Sequence, residues 1–205
     1  MKNLKFAAAG IAICISMTLT ACGTTETVEY TRSTADASGK FTCEILGIGA
    51  DFDPEVWTFY TDAEIASANS ASSASDEDMR AALKKNGAVQ DMVAAQASGV
   101  NVMLIYEDAN VTKIGNISEE LYLSSSKEGL EEQFSYMMDN VSSEITSVTV
   151  AGVSHAAMNI SGESYGVPVY GRYICLKNGN LMAIISINAL STDEINEITS
   201  MFYSL

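Results

Sequence analysis

Two apolar runs on either side of Asn178-Gly179 constrain this chain more than any other feature. Val167-Pro-Val-Tyr-Gly-Arg-Tyr-Ile-Cys-Leu176 and Leu181-Met-Ala-Ile-Ile-Ser-Ile187 flank Lys177-Asn178-Gly179-Asn180. Asn-Gly supplies the positive-φ positions of a tight hairpin turn, whose twist matches that of the strands it joins. The runs are therefore read as neighbouring antiparallel strands. A third run, Val102-Met-Leu-Ile-Tyr106, is apolar without alternation. Such a strand is buried on both faces, so its sheet needs helices on both sides.

Helix signals supply that cover. Thr61-Asp-Ala-Glu64 is a capping box that opens a short helix containing Ile65. Asp76-Glu77-Asp78 places acids at the positive end of the next helix, and Lys84-Lys85-Asn86-Gly87 stops it. Val89 to Ala97 reads as another short helix. Ser125 to Val141 reads as the longest, with Leu130, Phe134, Met137 or Met138, and Val141 as its apolar stripe. Ser191-Thr-Asp-Glu194 caps a closing helix that carries Ile195, Ile198, Met201 and Phe202 on one face. Phe41 to Ile45 and Val56 to Tyr60 are read as an N-terminal hairpin. Val148, Val150 and Val153 lead into a strand where Ala156, Met158 and Ile160 alternate with His155, Ala157 and Asn159. The expected order is hairpin, helices, central strand, long helix, three antiparallel strands, final helix. That is an α+β fold with an antiparallel sheet and helices on both faces.

Residues 1–40 read differently. Lys2 and Lys5 precede Phe6 to Met17, an apolar stretch too short to span a bilayer as a helix. Leu19-Thr20-Ala21-Cys22-Gly23 follows, in the order of a bacterial lipoprotein signal. We expect residues 1–21 to be cleaved and Cys22 to be acylated. Residues 23–40, rich in Thr, Ser and Ala, are expected to form a flexible spacer, and 41–205 one domain. Each buried CH₂ of an acyl chain contributes about 0.8 kcal/mol, so two or more chains hold stably. The expected location is the extracytoplasmic face of the cell membrane. The formal net charge of −15 falls to −17 when Lys2 and Lys5 leave with the leader. So acidic a surface argues against nucleic acid as a partner. Of the four cysteines, Cys43 and Cys175 remain on expected strands, as a disulfide or as two buried thiols.

From Phe41 to Leu205 the chain resembles the PsbP-like family. The likeness rests on Asp53-Pro54-Glu55-Val56-Trp57, the Val150-Ala-Gly152 turn, the strand pair around Asn178-Gly179 and the closing helix. It also resembles small bacterial surface lipoproteins that carry this domain. The family includes extrinsic subunits of photosystem II and a binding partner of a nuclear-transport GTPase. The resemblance implies a non-enzymatic binding scaffold and carries over no site residue.

Candidate chemistry is sparse. His155 is the sole histidine, and it could serve a small envelope hydrolase only with a serine or cysteine beside it. No HExxH-type pair, cysteine cluster, Gly-x-Ser-x-Gly elbow or glycine-rich phosphate loop is present. Ser124-Ser-Ser-Lys127 matches a Ser-x-x-Lys pattern without its companion motifs and is read as a helix N-terminus. Asp51, Asp53 and Glu55 cluster at a turn and make a divalent-cation surface the third reading, although EF-hand spacing is absent. The expectation is thus a lipid-anchored binding or assembly module for a protein or cell-envelope partner, without metal or cofactor. Cys22→Ser should release the protein from the membrane fraction and leave its thermal transition in place. A variant that stays membrane-bound contradicts the lipoprotein reading.

Overall fold

The computed structural model describes residues 26–112 and 116–205. Leu19 to Cys22, with the expected cleavage and acylation, lie outside these residues. In chain order the elements are β1 (Thr34–Ala35), β2 (Lys40–Cys43), β3 (Ile48–Asp51), β4 (Trp57–Phe59), α1 (Asp62–Ala68), α2 (Asp76–Asn86), β5 (Ala88–Gln96) and β6 (Asn101–Asp108). They continue with α3 (Ala109–Thr112), α4 (Glu119–Ser135), β7 (Asp139–Val150), β8 (Val153–Ser164), β9 (Val167–Asn178), β10 (Leu181–Ala189), α5 (Thr192–Ser200) and β11 (Phe202–Ser204). A seven-stranded sheet has the order β4-β5-β6-β10-β9-β8-β7, and a four-stranded sheet the order β1-β2-β3-β11. The strand pairs are antiparallel, as expected of this α+β fold.

The hairpin forms between the two expected strands, in register from Asn178↔Leu181 to Tyr170↔Ala189, but its two-residue loop is Gly179-Asn180. Asn178 is the last paired residue of β9, and of the Asn-Gly pair only Gly179 takes a positive φ. Gly179 has φ 58°, and a Cβ there would lie 2.6 Å from the Glu26 carbonyl oxygen and from Val28. Glycine is needed twice over, for the turn and for the chain that crosses it. β6 lies between β5 and β10, and Val102 to Tyr106 are buried without a break.

Both sheet faces are covered. Tyr173 pairs with Ser186 and Tyr106 with Ala183, three positions apart on β10, so the two tyrosines point to opposite faces. On the Tyr173 face lies α4, whose Phe134 ring is 6.0 Å from that of Tyr173. On the Tyr106 face lie the small sheet and α5. Cys43 of β2 contacts the Tyr106 hydroxyl at 2.9 Å, and Arg172 donates to Asn196 and Thr199 of α5. Cys175 pairs with Ile184 and so faces away from Tyr106. The seven-stranded sheet therefore stands between the two cysteines, and both are free thiols.

Several local readings differ from the structure. Val89 to Ala97 is strand β5, not a helix. A bulge between Gln90 and Met92 shifts its alternation by one residue, which blurs the period of two into a helix-like pattern. β2 pairs with β3 rather than with residues 56–60, and β4 joins the other sheet through β5. The Asp53 carbonyl accepts from both Val56 and Trp57 and redirects the chain between the sheets. The long helix starts at Ser118, whose side chain accepts from Leu121 N, and stops at Ser135. Ser125 lies mid-helix and donates to the Leu121 carbonyl instead of capping. Val141 belongs to β7, so four strands precede the closing helix, and Phe202 pairs with Ala50 in the small sheet.

The described part of the expected spacer is packed against the domain. Tyr30 is 2% exposed, its ring 5.3 Å from that of Tyr106, and its hydroxyl donates to Asp91. Ser33 N also donates to Asp91, Arg32 pairs with Asp62 at 2.7 Å, and β1 pairs with β2. The folded unit thus begins before Phe41. Tyr30→Ala should cost about 3–5 kcal/mol, as large-to-small changes at buried aromatics do. Urea unfolding should show this as a lower midpoint with an unchanged slope. A midpoint equal to that of the wild type would mean that this segment adds nothing to the fold.

Candidate functional site

The strand registers assemble a polar array that no single segment displays. Glu144, Asn159 and Arg172 lie opposite one another across β7, β8 and β9, and Ser142, Ser161 and Tyr170 form the adjacent row. The two rows share one face because side chains alternate along each strand. α5 packs on β10 and β9, so among the described residues no helix covers the β7–β8 part of this face. The result is a cleft of about 370 Å³, with Thr192 and Ile195 of α5 on its far wall.

Hydrogen bonds fix the array. Arg172 Nε donates to Asn159 Oδ1 at 2.9 Å, and Arg172 Nη1 donates to Asn196 Oδ1 at 3.0 Å and Thr199 Oγ1 at 3.1 Å. Asn159 Nδ2 reaches Glu144 Oε1 at 3.4 Å, and the Ser142 and Ser161 hydroxyls meet at 3.2 Å. Partial burial holds the Arg172 guanidinium below its ordinary pKa. Chemically the cleft offers a cation, an acceptor, hydroxyls and half-exposed aromatic surface. It holds no nucleophile paired with a base.

His155 sits elsewhere. Its Nδ1 is 3.0 Å from Glu119 Oε1, and the Glu119 carboxylate also accepts from Ala156 N at 3.1 Å and Lys177 N at 3.0 Å. The β8–β9 ladder runs from Ser164↔Val167 only to Ala157↔Ile174. Glu119, in the first turn of α4, takes up the N–H groups freed where these strands part. His155 steadies that carboxylate beside a cleft of about 320 Å³ lined by Ile45, Val153 and Leu176. Among the described residues, no serine or cysteine side chain is hydrogen-bonded to His155. Burial pushes the Cys43 thiol up to about 11, although its Tyr106 contact opposes the shift. Burial, then the charges of Glu119 and Glu107, raises that of Cys175 further. Thiols of this kind are poor nucleophiles at neutral pH. The arrangement required of a His155 hydrolase is therefore not brought together.

Ser124 donates to the Glu120 carbonyl at 2.7 Å, whereas Lys127 donates to the Ser143 carbonyl at 3.0 Å, so the Ser-x-x-Lys pair serves two different contacts. At the acidic turn, Asp53 accepts from Glu55 N and Asp51 from the Tyr203 hydroxyl. No group of three His, Cys, Asp or Glu ligands converges among the described residues.

Two buried carboxyls escaped the sequence reading. Asp91 is 1% exposed, and burial raises its pKa against the opposing bonds from Ser33 and Tyr30. Glu107, also 1% exposed, sits under α4, and burial pushes its carboxyl up to about 7. The nearby Tyr122 hydroxyl favours ionisation, without the geometry of a formed bond. An acid at the end of a strand carries no mark of burial in sequence; the helix laid over Glu107 creates it.

Comparison with known proteins gives a likeness to solved structures, whereas no family model matches the chain and no curated protein matches it in sequence. A solved structure from Bacteroides thetaiotaomicron is 12% identical at a TM-score of 0.41, covering 83% of this chain and 49% of that one. This chain thus spans about half the length of that protein. LpqN of Mycobacterium tuberculosis, involved in cell envelope biogenesis, is 13% identical at a TM-score of 0.34, covering 55% and 62%. Cyanobacterial PsbP from Synechocystis is 11% identical at a TM-score of 0.45, covering 91% and 99%.

Glu107 yields a pH prediction. Its folded-state pKa lies above the ordinary value of 4.5, so between 4.5 and about 7 the folded chain keeps a proton that the unfolded chain has lost. Stability from this group is full below 4.5 and declines as pH rises to about 7, by about 3 kcal/mol. Glu107→Gln should remove that decline and raise the melting temperature most at pH 8. Parallel melting-temperature profiles for wild type and variant between pH 5 and 8 would refute this.

Proposed function

We propose that this chain is a lipid-anchored extracytoplasmic binding module. Cys22 holds it at the membrane, and the cleft of β7–β9 and α5 meets a protein or other cell-envelope partner. The anchoring rests on the Leu19-Thr20-Ala21-Cys22 sequence. The binding reading rests on one observation: the cleft is a hydrogen-bonded polar surface on a sheet face that α5 leaves open. At about 370 Å³ it falls within the range of small-molecule sites, roughly 300–1,000 Å³. The side chains are held by one another, so little ordering is lost when a partner docks.

Photo-crosslinking in intact cells tests the reading. A photoreactive side chain at Ser161, in the cleft, should give a discrete adduct with another cell component. The same group at Glu77, on α2, should not. Adducts of the chain with itself alone, or the same products from both positions, would overturn it.

A further inference from the structure

We propose that the cleft between β7–β9 and α5 is a carbohydrate site for a sugar ring that carries a carboxylate. This rests on the binding-module reading and deepens it by naming the ligand class.

The charge on Arg172 is the first argument. The chain has three arginines. Arg32 pairs with Asp62 at 2.7 Å and Arg80 with Glu29 at 2.6 Å. Arg172 pairs with no acid among the described residues. In a chain of net charge −15, acids are the commonest partners available. Here three neutral oxygens, from Asn159, Asn196 and Thr199, take Nε and Nη1 instead. They orient the guanidinium without cancelling its charge, and among the described residues no hydrogen bond is made by Nη2. A carboxylate is the matching group, through a charge-assisted bond.

The neighbouring row supplies the second argument. Tyr170 is half-buried and lies one row from Arg172, opposite Ser161, with Ser142 beyond it. An aromatic face beside hydroxyls suits a ring that has apolar C–H faces and a hydroxylated edge. Serine hydroxyls both donate and accept, as sugar hydroxyls do, and Glu144 adds an acceptor for a ligand O–H. A lone carboxylate would leave Tyr170 and the hydroxyls unused. A neutral sugar would offer Nη2 only hydroxyl acceptors, without the charge-assisted bond, and a basic peptide would meet Arg172 with like charge.

Titration of the purified full-length chain with three probes tests the assignment by calorimetry and amide NMR. N-acetylmuramic acid carries ring and carboxylate, N-acetylglucosamine the ring alone, and lactate the carboxylate alone. The first should bind and shift the amides of Asn159, Ser161, Tyr170 and Arg172. The second should bind about tenfold more weakly, the value of one charge-assisted bond. Lactate should leave Tyr170 unshifted. Arg172→Gln should erase the difference between the two sugars. Because Arg172 also ties β9 to α5, Tyr170→Ser provides a variant that spares that tie, and it should weaken both sugars. No binding of N-acetylmuramic acid, equal affinity for the two sugars, or shifts centred elsewhere would overturn the assignment. If the sugars fail while the Ser161 probe still captures a cell component, the carbohydrate class falls and the module reading stands. If both fail, both fall.

Discussion

The rest of the structure depends on keeping water from both faces of two central strands. β6 and β10 are apolar on each side, from Val102 to Tyr106 and from Leu181 to Ile187. Buried apolar area stabilises at roughly 25 cal/mol per Å², and a strand exposed on either face would forfeit half of that. α4 closes the Tyr173 face. The Tyr106 face is covered by the N-terminal segment, the small sheet and α5, three pieces from distant parts of the chain, and α1 and α2 pack on β5 and β6 beside them.

Those three pieces are held by buried polar contacts as well as by area. Asp91 gathers the Tyr30 hydroxyl and Ser33 N, and Tyr106 meets Cys43. Glu119 stitches the open end of the β8–β9 ladder through two backbone N–H groups and His155. An unpartnered buried polar group costs its full desolvation, so each contact selects one arrangement over others of similar apolar burial. His155, the sole histidine and the residue on which a hydrolase reading depended, thereby takes a structural part at a strand junction.

The cleft follows from where the cover ends. α5 is nine residues long, and within the seven-stranded sheet it packs on β10 and β9. Beyond it the β7–β8 face carries Ser, Glu, Asn and Thr side chains that solvent tolerates. Arg172 marks the boundary, tied to α5 on one side and to Asn159 on the other. A polar, ordered surface therefore sits at the rim of the apolar core, where a ligand can reach it without unfolding anything.

Read alone, the sequence determined the hairpin around Gly179, the doubly buried strand at Val102 to Tyr106, the capped helices at Thr61 and Ser191, the helix from Asp76 to its stop at Gly87, and the α+β class. These signals are local: a turn that needs positive φ, a cap three residues from its partner, or a run too apolar to face water. The tertiary structure decided what depends on pairing. A single bulge hid β5 behind a helical period. The partner of Phe41 to Cys43 turned out to be Ile48 to Asp51, because Asp53 turns the chain away. Residues 23–40 looked polar enough for a spacer, but Tyr30 packs against Tyr106. The two rows of the cleft were invisible for the same reason. Glu144, Asn159 and Arg172 are ordinary solvent-side residues of three separate strands, and only register sets them side by side.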